Sequence, residues 1–410
     1  MHIDTNYSQL YTVSESVQLK RRTKKMPEAS ALVNKYYQDY GLRARELKSQ
    51  GKKIIGYLCA FTPLEIITAA GFIPFRIKGD VKEPITKADT QMETIVCPLA
   101  RSCFDVSLKG KYEFLDGLII PHACDSITRS YSIWRYSLDL PYSHFVNVPH
   151  TVRGASMEFF KNELSVFRKS LGKFAGNEIS DESLVQAITL HNENRARIRE
   201  LYEFRKSEPA LISGTEVTKV LVAAMGLPVQ ESIELLSSTI DEVKQRTAAA
   251  AKQSARIMVV GCQVDDAAFI KMIEDCEASV VTDYLCPGVR EHWPDVEGTE
   301  LPLDGIAERY LDGLNCPRTY REWTGTTYQD DLEARFGDIG RAIKNFKVDG
   351  VVLYVYKYCD PLGFEVPALK GYIESLNTPV LYLEDEYSMA TIARMRTRIQ
   401  AFLEIIGQSF

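Results

Sequence analysis

The sequence predicts an α/β protein made of two parallel-sheet lobes, with a helical connector between them and a helical arm in front. Short apolar runs typical of buried strands alternate with helical segments in residues 51–154, and the alternation returns in residues 253–410. Residues 155–252 instead carry apolar residues at helical spacing. The composition, 45% hydrophobic and 25% charged over 410 residues, is that of a globular protein with more than one domain.

The arm, residues 1–50, is polar, and its helical stretch indicates a solvated arm or a dimer contact. A helix of the first lobe is expected to open with Thr62 as its cap, Pro63 in the first helical position and Glu65 as a capping-box carboxylate. Gly71 is expected to end this helix. Strands of the first lobe are expected at residues 52–58, 72–77 and 116–120.

The elements of the connector and the second lobe are predicted from the same kinds of local pattern. Ser180 with Asp181 and Glu182 predicts a capped helix start with an acidic first turn. Connector helices are expected at residues 159–171, 184–202, 217–225 and 232–251. In the second lobe, strands are expected at residues 256–261, 278–285, 349–356 and 379–383, and helices at residues 265–277 and 388–406.

Two short patterns occur in both lobes and predict an internal duplication. Cys97-Pro-Leu-Ala-Arg101 matches Cys286-Pro-Gly-Val-Arg290 as Cys-Pro-x-x-Arg. Asp116-Gly, an apolar run and then Cys124-Asp match Asp349-Gly, an apolar run and then Cys359-Asp.

Charge and missing motifs exclude several function classes. The net charge of −6 gives no basic excess for binding nucleic acid. The sequence has no P-loop, no G-x-G-x-x-G, no G-x-S-x-G, no H-E-x-x-H and no C-x-x-C pair. The N-terminus does not have the pattern of a signal peptide, and no apolar run is long enough to cross a bilayer. We therefore expect a cytoplasmic protein with reduced thiols.

Cysteine placement is the main chemical signal. Four of the nine cysteines follow predicted strands, and the loops at such strand ends form the site crevice of an open α/β sheet. Two more precede prolines at element ends. The six are Cys59, Cys124, Cys286 and Cys359 after strands, and Cys97 and Cys316 before prolines. They are either ligands of an iron–sulfur cluster or buried core thiols.

The other candidates have alternative structural roles. Cys103 and Cys276 fall on apolar helical faces and are expected in the core, as is Cys262 at a strand end. His122 is a candidate acid–base residue, or else a structural histidine at a strand end. Asp125 and Asp360 are expected to cap the helices that follow, and they can also orient the cysteine loops.

The sequence resembles the 2-hydroxyacyl-CoA dehydratase and benzoyl-CoA reductase superfamily from about residue 30 onward. The segments that carry the resemblance are Gly56-Tyr-Leu-Cys-Ala-Phe-Thr-Pro-Leu-Glu65, Ala69-Ala-Gly-Phe-Ile-Pro74, Cys97-Pro-Leu-Ala-Arg-Ser102, Asp116-Gly to Cys124-Asp-Ser126, Asn192-Glu-Asn-Arg195, Asp349-Gly to Cys359-Asp-Pro361 and Pro367-Ala-Leu369.

The resemblance implies two flavodoxin-like lobes with an oxygen-sensitive iron–sulfur cluster in the cleft between them. It also implies a separate ATP-hydrolysing iron–sulfur reductase as the electron donor. Members with a single [4Fe–4S] cluster use cysteines that match Cys97, Cys124 and Cys359. A set of six resembles the double-cubane branch, whose [8Fe–9S] unit takes three thiolates per cubane, which leaves Cys59, Cys286 and Cys316 for the second cubane.

These expectations give three candidate functions. The first is a low-potential iron–sulfur oxidoreductase, a homodimer of the double-cubane type, that reduces a small substrate with electrons from the reductase. The second is a subunit of an (R)-2-hydroxyacyl-CoA dehydratase or a benzoyl-CoA reductase-like enzyme with a single [4Fe–4S] cluster. The third is an electron carrier without a substrate of its own.

Overall fold

A computed structural model describes residues 28–247, 255–322 and 325–407. It contains two four-stranded sheets, both entirely parallel. The first has the order β2-β1-β3-β4, with β1 (Ile54–Tyr57), β2 (Ile73–Arg76), β3 (Gly117–Pro121) and β4 (Tyr142–Val146). The second has the order β6-β5-β7-β8, with β5 (Ala255–Gly261), β6 (Ala278–Tyr284), β7 (Gly350–Tyr356) and β8 (Val380–Asp385).

Helices cover the sheets and fill the segment between them. The arm and first lobe contain α1 (Ala29–Gln38), α2 (Leu42–Ser49), α3 (Leu64–Ala69), α4 (Pro98–Leu108) and α5 (Asp125–Ser137). The connector contains α6 (Gly154–Ala175), α7 (Asp181–Glu203), α8 (Gly214–Ala224) and α9 (Val229–Lys244). The second lobe contains α10 (Ala267–Glu274), α11 (Val289–His292), α12 (Pro302–Glu308), α13 (Tyr328–Asn345), α14 (Asp360–Ser375) and α15 (Ile392–Gly407).

The predicted fold class is therefore confirmed, including helices at the start of the described chain. Residues 1–27 of the expected arm and residues 248–251 of the last connector helix lie outside the described residues. The predicted cap at Ser180 is present, because its hydroxyl accepts a hydrogen bond from the Ser183 amide. Within the described residues, no helix has both the length and the apolar character needed to cross a bilayer.

Strand β4 has no counterpart among the predicted strands. Its three central residues are only partly buried, and Ser143 and His144 interrupt its apolar pattern. It is the edge strand of the first sheet, so its pattern lacks the continuous apolar run of a central parallel strand.

The apolar core lies on both faces of each sheet. Alternate residues of the first sheet pack in opposite directions: Ile55 and Ile119 join α3 and α6, whereas Ile54 and Leu118 join α4 and α5. A larger cluster surrounds the second sheet and includes the apolar faces of α8, α9 and α10. Burial on both faces is the usual environment of a parallel sheet.

The start of α3 differs from the predicted capping box. Pro63 is the N-cap, without a side-chain cap hydrogen bond, and the Thr62 hydroxyl donates to the Leu58 carbonyl at 2.9 Å instead. Glu65 is completely buried. The prediction was wrong because the Thr62 hydroxyl binds the nearby Leu58 carbonyl, and the Glu65 carboxylate binds side chains from distant parts of the chain.

Glu65 is the centre of a buried polar network that joins three parts of the chain. Its carboxylate accepts hydrogen bonds from Arg195 of α7 at 3.0 Å and from the Tyr310 hydroxyl at 2.9 Å. Burial by itself raises the pKa of Glu65, but Arg195 and other nearby cations outweigh it and lower the pKa to about 2. The network therefore fixes the connector and the segment after α12 against the first lobe.

A second buried ion pair joins the two lobes directly. Arg76, at the end of β2, pairs with Glu291 of α11 and donates to the Gln263 side chain at 2.9 Å. All three side chains are at least nine-tenths buried. The carboxyl ends of the two sheets therefore meet at a fixed separation.

We predict that Glu65→Gln destabilises the fold by about 3–5 kcal/mol, because it leaves the Arg195 charge buried without its main partner. The wild-type contribution should be complete above about pH 4.5 and lost as the pH falls towards 2, since the folded-state pKa of Glu65 is lowered. Denaturant unfolding measures both. The control Glu158→Gln removes an exposed ion pair with Lys161 and should cost less than about 0.5 kcal/mol; equal costs would contradict the argument.

Candidate metal centre

The two sheets place cysteines at equivalent points. In each sheet the first and third strands are neighbours, so the chain turns in opposite directions beyond them and leaves a crevice at their carboxyl ends. Cys59 and Cys124 follow β1 and β3, and Cys262 and Cys359 follow β5 and β7. This correspondence supports the predicted internal duplication.

One cavity of about 110 Å³ lies between these strand ends, and its walls come from both lobes. The structure brings together at this cavity all six cysteines that the sequence singles out: Cys59, Cys97, Cys124, Cys286, Cys316 and Cys359. Apolar side chains such as Phe61, Leu99 and Leu362 complete much of the wall. All six cysteines are free thiols in the structure.

The three cysteines expected in the core behave differently from one another. Cys276 does not line the cavity; it packs at the edge of the second-lobe core, with its thiol 3.3 Å from the Met272 carbonyl. Cys103 and Cys262 are buried core residues that also reach the cavity wall. The Cys262 sulfur accepts a hydrogen bond from the Tyr356 amide at 3.2 Å, which satisfies it inside the fold.

Neighbouring thiols around the cavity raise one another's pKa values. Burial first, and then the neighbouring Cys286 and Cys316, raise the pKa of Cys59. Burial and then the neighbouring Cys359 raise the pKa of Cys97 to about 12. Burial and then Cys97 raise the pKa of Cys124, with smaller contributions from Cys359 and Cys316. We group Cys59 with Cys286 and Cys316 as one set, and Cys97 with Cys124 and Cys359 as the other. The sets adjoin, because Cys316 also raises the pKa of Cys124 and a hydrogen bond with Cys262 is the main cause that raises the pKa of Cys359.

Helix N-termini face the second of these sets. Cys97, Cys124 and Cys359 are the N-cap residues of α4, α5 and α14, which have 11, 13 and 16 residues. The positive end of a helix dipole and the free backbone amides of its first turn stabilise a thiolate. Asp125 and Asp360 occupy the first helical positions rather than the caps, so the expected capping by these carboxylates is wrong.

Buried arginines face the other set. Arg290 donates to the Cys286 sulfur at 3.1 Å and to the Gly261 and Tyr284 carbonyls. Arg318 is enclosed by backbone carbonyls at the ends of β3 and β4, including that of Val148 at 2.8 Å. In the part of the chain that the structure describes, no carboxylate forms an ion pair with either guanidinium. An anionic group in the cavity would therefore be stabilised by both guanidiniums, since the carbonyls around them carry no net charge.

These observations fit a multinuclear thiolate-bound metal group. In the described ranges, no three His, Cys, Asp or Glu side chains lie close enough to hold one metal ion. A single tetrahedral ion would place its sulfur ligands about 3.8 Å apart, from a metal–sulfur distance of about 2.3 Å. Thiols spread around a cavity instead suit a cluster of several metal ions. Thiolates bound to such a cluster would supply the negative charge that Arg290 and Arg318 lack.

His122 lies outside this cavity. Its Nδ1 is 3.0 Å from the Asn147 side-chain oxygen, and its Nε2 is 3.2 Å from Nε2 of His150. Burial, Arg318 and His122 lower the pKa of His150 to about 4. The His122 carbonyl, not its imidazole, contacts Arg318 of the cavity wall. The acid–base role of His122 stays a prediction.

Sequence reasoning assigned no role to the arginines that border the cavity. Arg290 was visible as the last residue of the repeated Cys-Pro-x-x-Arg pattern, and this repeat is the signal that pointed to it. Arg76 and Arg318 carry no comparable signal. They reach the cavity only because the lobes pack face to face.

Comparisons with known proteins identify the family. The chain belongs to the family described as "2-hydroxyglutaryl-CoA dehydratase, D-component", whose model matches residues 59–406. It is 27% identical over 366 residues to the (R)-phenyllactyl-CoA dehydratase beta subunit of Clostridium sporogenes, covering 88% of this chain and 94% of that protein.

Two further relatives have comparable coverage. A benzoyl-CoA reductase subunit of Thauera aromatica is 25% identical, over 83% of this chain and 88% of its own. The (R)-2-hydroxyglutaryl-CoA dehydratase subunit beta of Acidaminococcus fermentans is 23% identical, over 87% and 93%. The superfamily resemblance is thereby confirmed. These names support the second candidate function, the dehydratase or reductase subunit, better than the double-cubane oxidoreductase.

We predict that Gly261→Ala distorts the end of β5, next to Cys262. A Cβ at residue 261 would lie 1.9 Å from the Tyr354 carbonyl oxygen, so the two strands must separate. The loss in unfolding free energy should exceed about 1 kcal/mol. Gly154→Ala, at the start of α6 with nothing within 4 Å of the added Cβ, is the control and should be neutral or stabilising. Thermal unfolding of both variants checks this, and equal melting temperatures would contradict it.

Proposed function

We propose that this chain is the cluster-binding subunit of an enzyme of the 2-hydroxyacyl-CoA dehydratase type, and that it receives electrons from a separate ATP-hydrolysing iron–sulfur reductase. One observation carries the proposal: thiols from both lobes line a single cavity. Arg290 and Arg318 border this cavity, and among the described residues no carboxylate forms an ion pair with either of them. Family membership and the names of the relatives support the reaction class.

Cys97, Cys124 and Cys359 would hold a [4Fe–4S] cluster, as the family resemblance implies for the matching cysteines. Such a cluster supplies one-electron transfer at low potential when it is bound. The three helix N-termini favour the thiolate form of these residues. Arg290 and Arg318 stabilise negative charge in the cavity, and the apolar wall excludes water from it.

The motifs missing from the sequence and the names of the relatives support the proposed partners. Its sequence has no P-loop and no dinucleotide fingerprint, so the proposed reductase contributes the nucleotide site and the energy of ATP hydrolysis. The relatives are named as subunits, which supports assembly with a second chain. A homodimer remains our expectation for that assembly.

We predict that Cys124→Ala and Cys359→Ala each lose most of the iron of the anaerobically purified protein, because both thiols lie on the cavity. Cys276→Ala removes a thiol away from the cavity and should retain the iron at a modest cost in stability. Iron and sulfide analysis measures the outcome. Iron loss in Cys276→Ala as severe as in Cys124→Ala would show that the cavity is not the binding site.

We also predict that the protein alone neither hydrolyses ATP nor turns over with a nicotinamide donor. Turnover should require both the reductase and ATP, and the encounter should weaken as salt rises, because charges at the rim of an interface act mainly on the association rate. An anaerobic assay with each component omitted in turn tests this. Equal turnover rates with and without the reductase and ATP would contradict the proposal that the protein needs this partner.

A second candidate function is the double-cubane oxidoreductase, and one specific observation favours it. All six candidate thiols line the cavity, and not only Cys97, Cys124 and Cys359. Three thiolates per cubane would then place Cys59, Cys286 and Cys316 on a second cubane.

Iron analysis discriminates the two candidates. The double cubane requires about eight irons per chain, and the single cluster about four. Cys286→Ala should lower a load of eight and leave a load of four unchanged. A fully reconstituted load of four that Cys286→Ala does not alter would reject the second candidate.

A further inference from the structure

The Cys-Pro-x-x-Arg pattern that occurs in both lobes adopts two different local structures. In the first lobe Cys97 is the N-cap of α4, and the helix begins at Pro98 and continues for 11 residues. In the second lobe α11 has 4 residues and begins only at Val289, so Cys286 lies outside the helix. Cys286 therefore lacks the helix N-terminus that stabilises a thiolate at Cys97.

A carboxylate occupies the start of α11 instead. Oδ1 of Asp283 accepts a hydrogen bond from the Val289 amide at 3.2 Å. Gly288 is the N-cap, and a Cβ at this residue would lie 1.9 Å from the same oxygen. The first amide of the helix is therefore bound to Asp283 and not to the Cys286 sulfur.

The two arginines of the pattern have different partners. Arg101 forms an ion pair with Asp89 at 2.6 Å, so a carboxylate compensates its charge. Arg290 donates to the Cys286 sulfur at 3.1 Å, and its other hydrogen bonds go to backbone carbonyls. In the second lobe a guanidinium group thus supplies the positive charge that a helix N-terminus supplies in the first.

A hydrogen bond from a cation to a ligand sulfur acts on the metal group that the sulfur binds. It withdraws electron density from the sulfur and stabilises the state of the group that carries one more negative charge. Arg290 is only 4% exposed, so water screens this interaction little. Because reduction adds a negative charge, such a bond makes the group easier to reduce.

We propose that Arg290 is a positioning residue that orients the Cys286 sulfur at the cavity and raises the reduction potential of the metal group bound there. The inference rests on the proposed function for the presence of that group, and it requires Cys286 to be one of the ligands. Reduction transfers one electron to the group from the reductase or from a chemical reductant, and Arg290 stays protonated. Arg101 has no such effect, because Asp89 compensates its charge.

The first test is a reductive titration of the anaerobically purified protein with dithionite and europium(II) chelates, followed by electron paramagnetic resonance. Arg290→Met removes the charge and the donors, and it should lower the midpoint potential by about 59 mV or more, a tenfold loss in the one-electron reduction equilibrium. Arg290→Lys retains a charge and should recover part of the shift. The matched control, Arg101→Met, should leave the potential close to that of the wild type.

The second test detects the hydrogen bond in the wild-type protein and does not depend on how the variants fold. Arginine labelled with ¹⁵N in its guanidinium group is incorporated, and the reduced, paramagnetic protein is measured by pulsed electron paramagnetic resonance. The bond from Arg290 to the Cys286 sulfur should give a ¹⁵N hyperfine coupling. The coupling should persist in Arg101→Met and disappear in both Arg290→Met and Arg290→Lys.

The outcomes separate this inference from the proposed function. Iron-loaded wild-type protein without a ¹⁵N coupling overturns the inference and leaves the proposed cluster in place. Equal shifts in potential for Arg290→Met and Arg101→Met do the same, because they would reveal a structural effect common to both copies of the pattern. Wild-type protein that retains no iron under any preparation rejects the proposed function, and the inference with it.

Discussion

The buried ion pair between Arg76 and Glu291 sets the geometry on which the candidate site depends. Arg76 ends the second strand of one lobe, and Glu291 lies in the short helix after the second strand of the other. Because both side chains are almost fully buried, the pair is rigid and tolerates little change in the separation of the lobes. The cysteines of the two lobes line one cavity only at that separation.

The cavity combines two means of stabilising negative charge. Helix N-termini serve Cys97, Cys124 and Cys359, and guanidinium groups serve the cysteines near Arg290 and Arg318. The helix N-termini are features of the backbone, so a change of a neighbouring side chain does not remove them. The guanidinium groups belong to the side chains of Arg290 and Arg318. A single substitution of either arginine would therefore remove positive charge from the neighbouring thiols.

Duplicated architecture explains much of the arrangement. Both sheets have the same strand order, and each contributes cysteines from the loops at its switch point. Cys316 has no counterpart in the first lobe, and it lies where the cysteine cavity adjoins a second cavity of about 390 Å³.

The sequence by itself determined the fold class, because buried parallel strands and their helices are encoded in local apolar patterns. It also determined the six thiols, because strand ends and Cys-Pro sites are visible along the chain. Edge strand β4 and the buried role of Glu65 were not visible, since partial burial and distant partners decided them. The buried contacts of Arg76 and Arg318 arose only in the tertiary structure: Arg76 meets Glu291 and Arg318 meets Val148, each more than a hundred residues away in sequence, and no local pattern records such contacts.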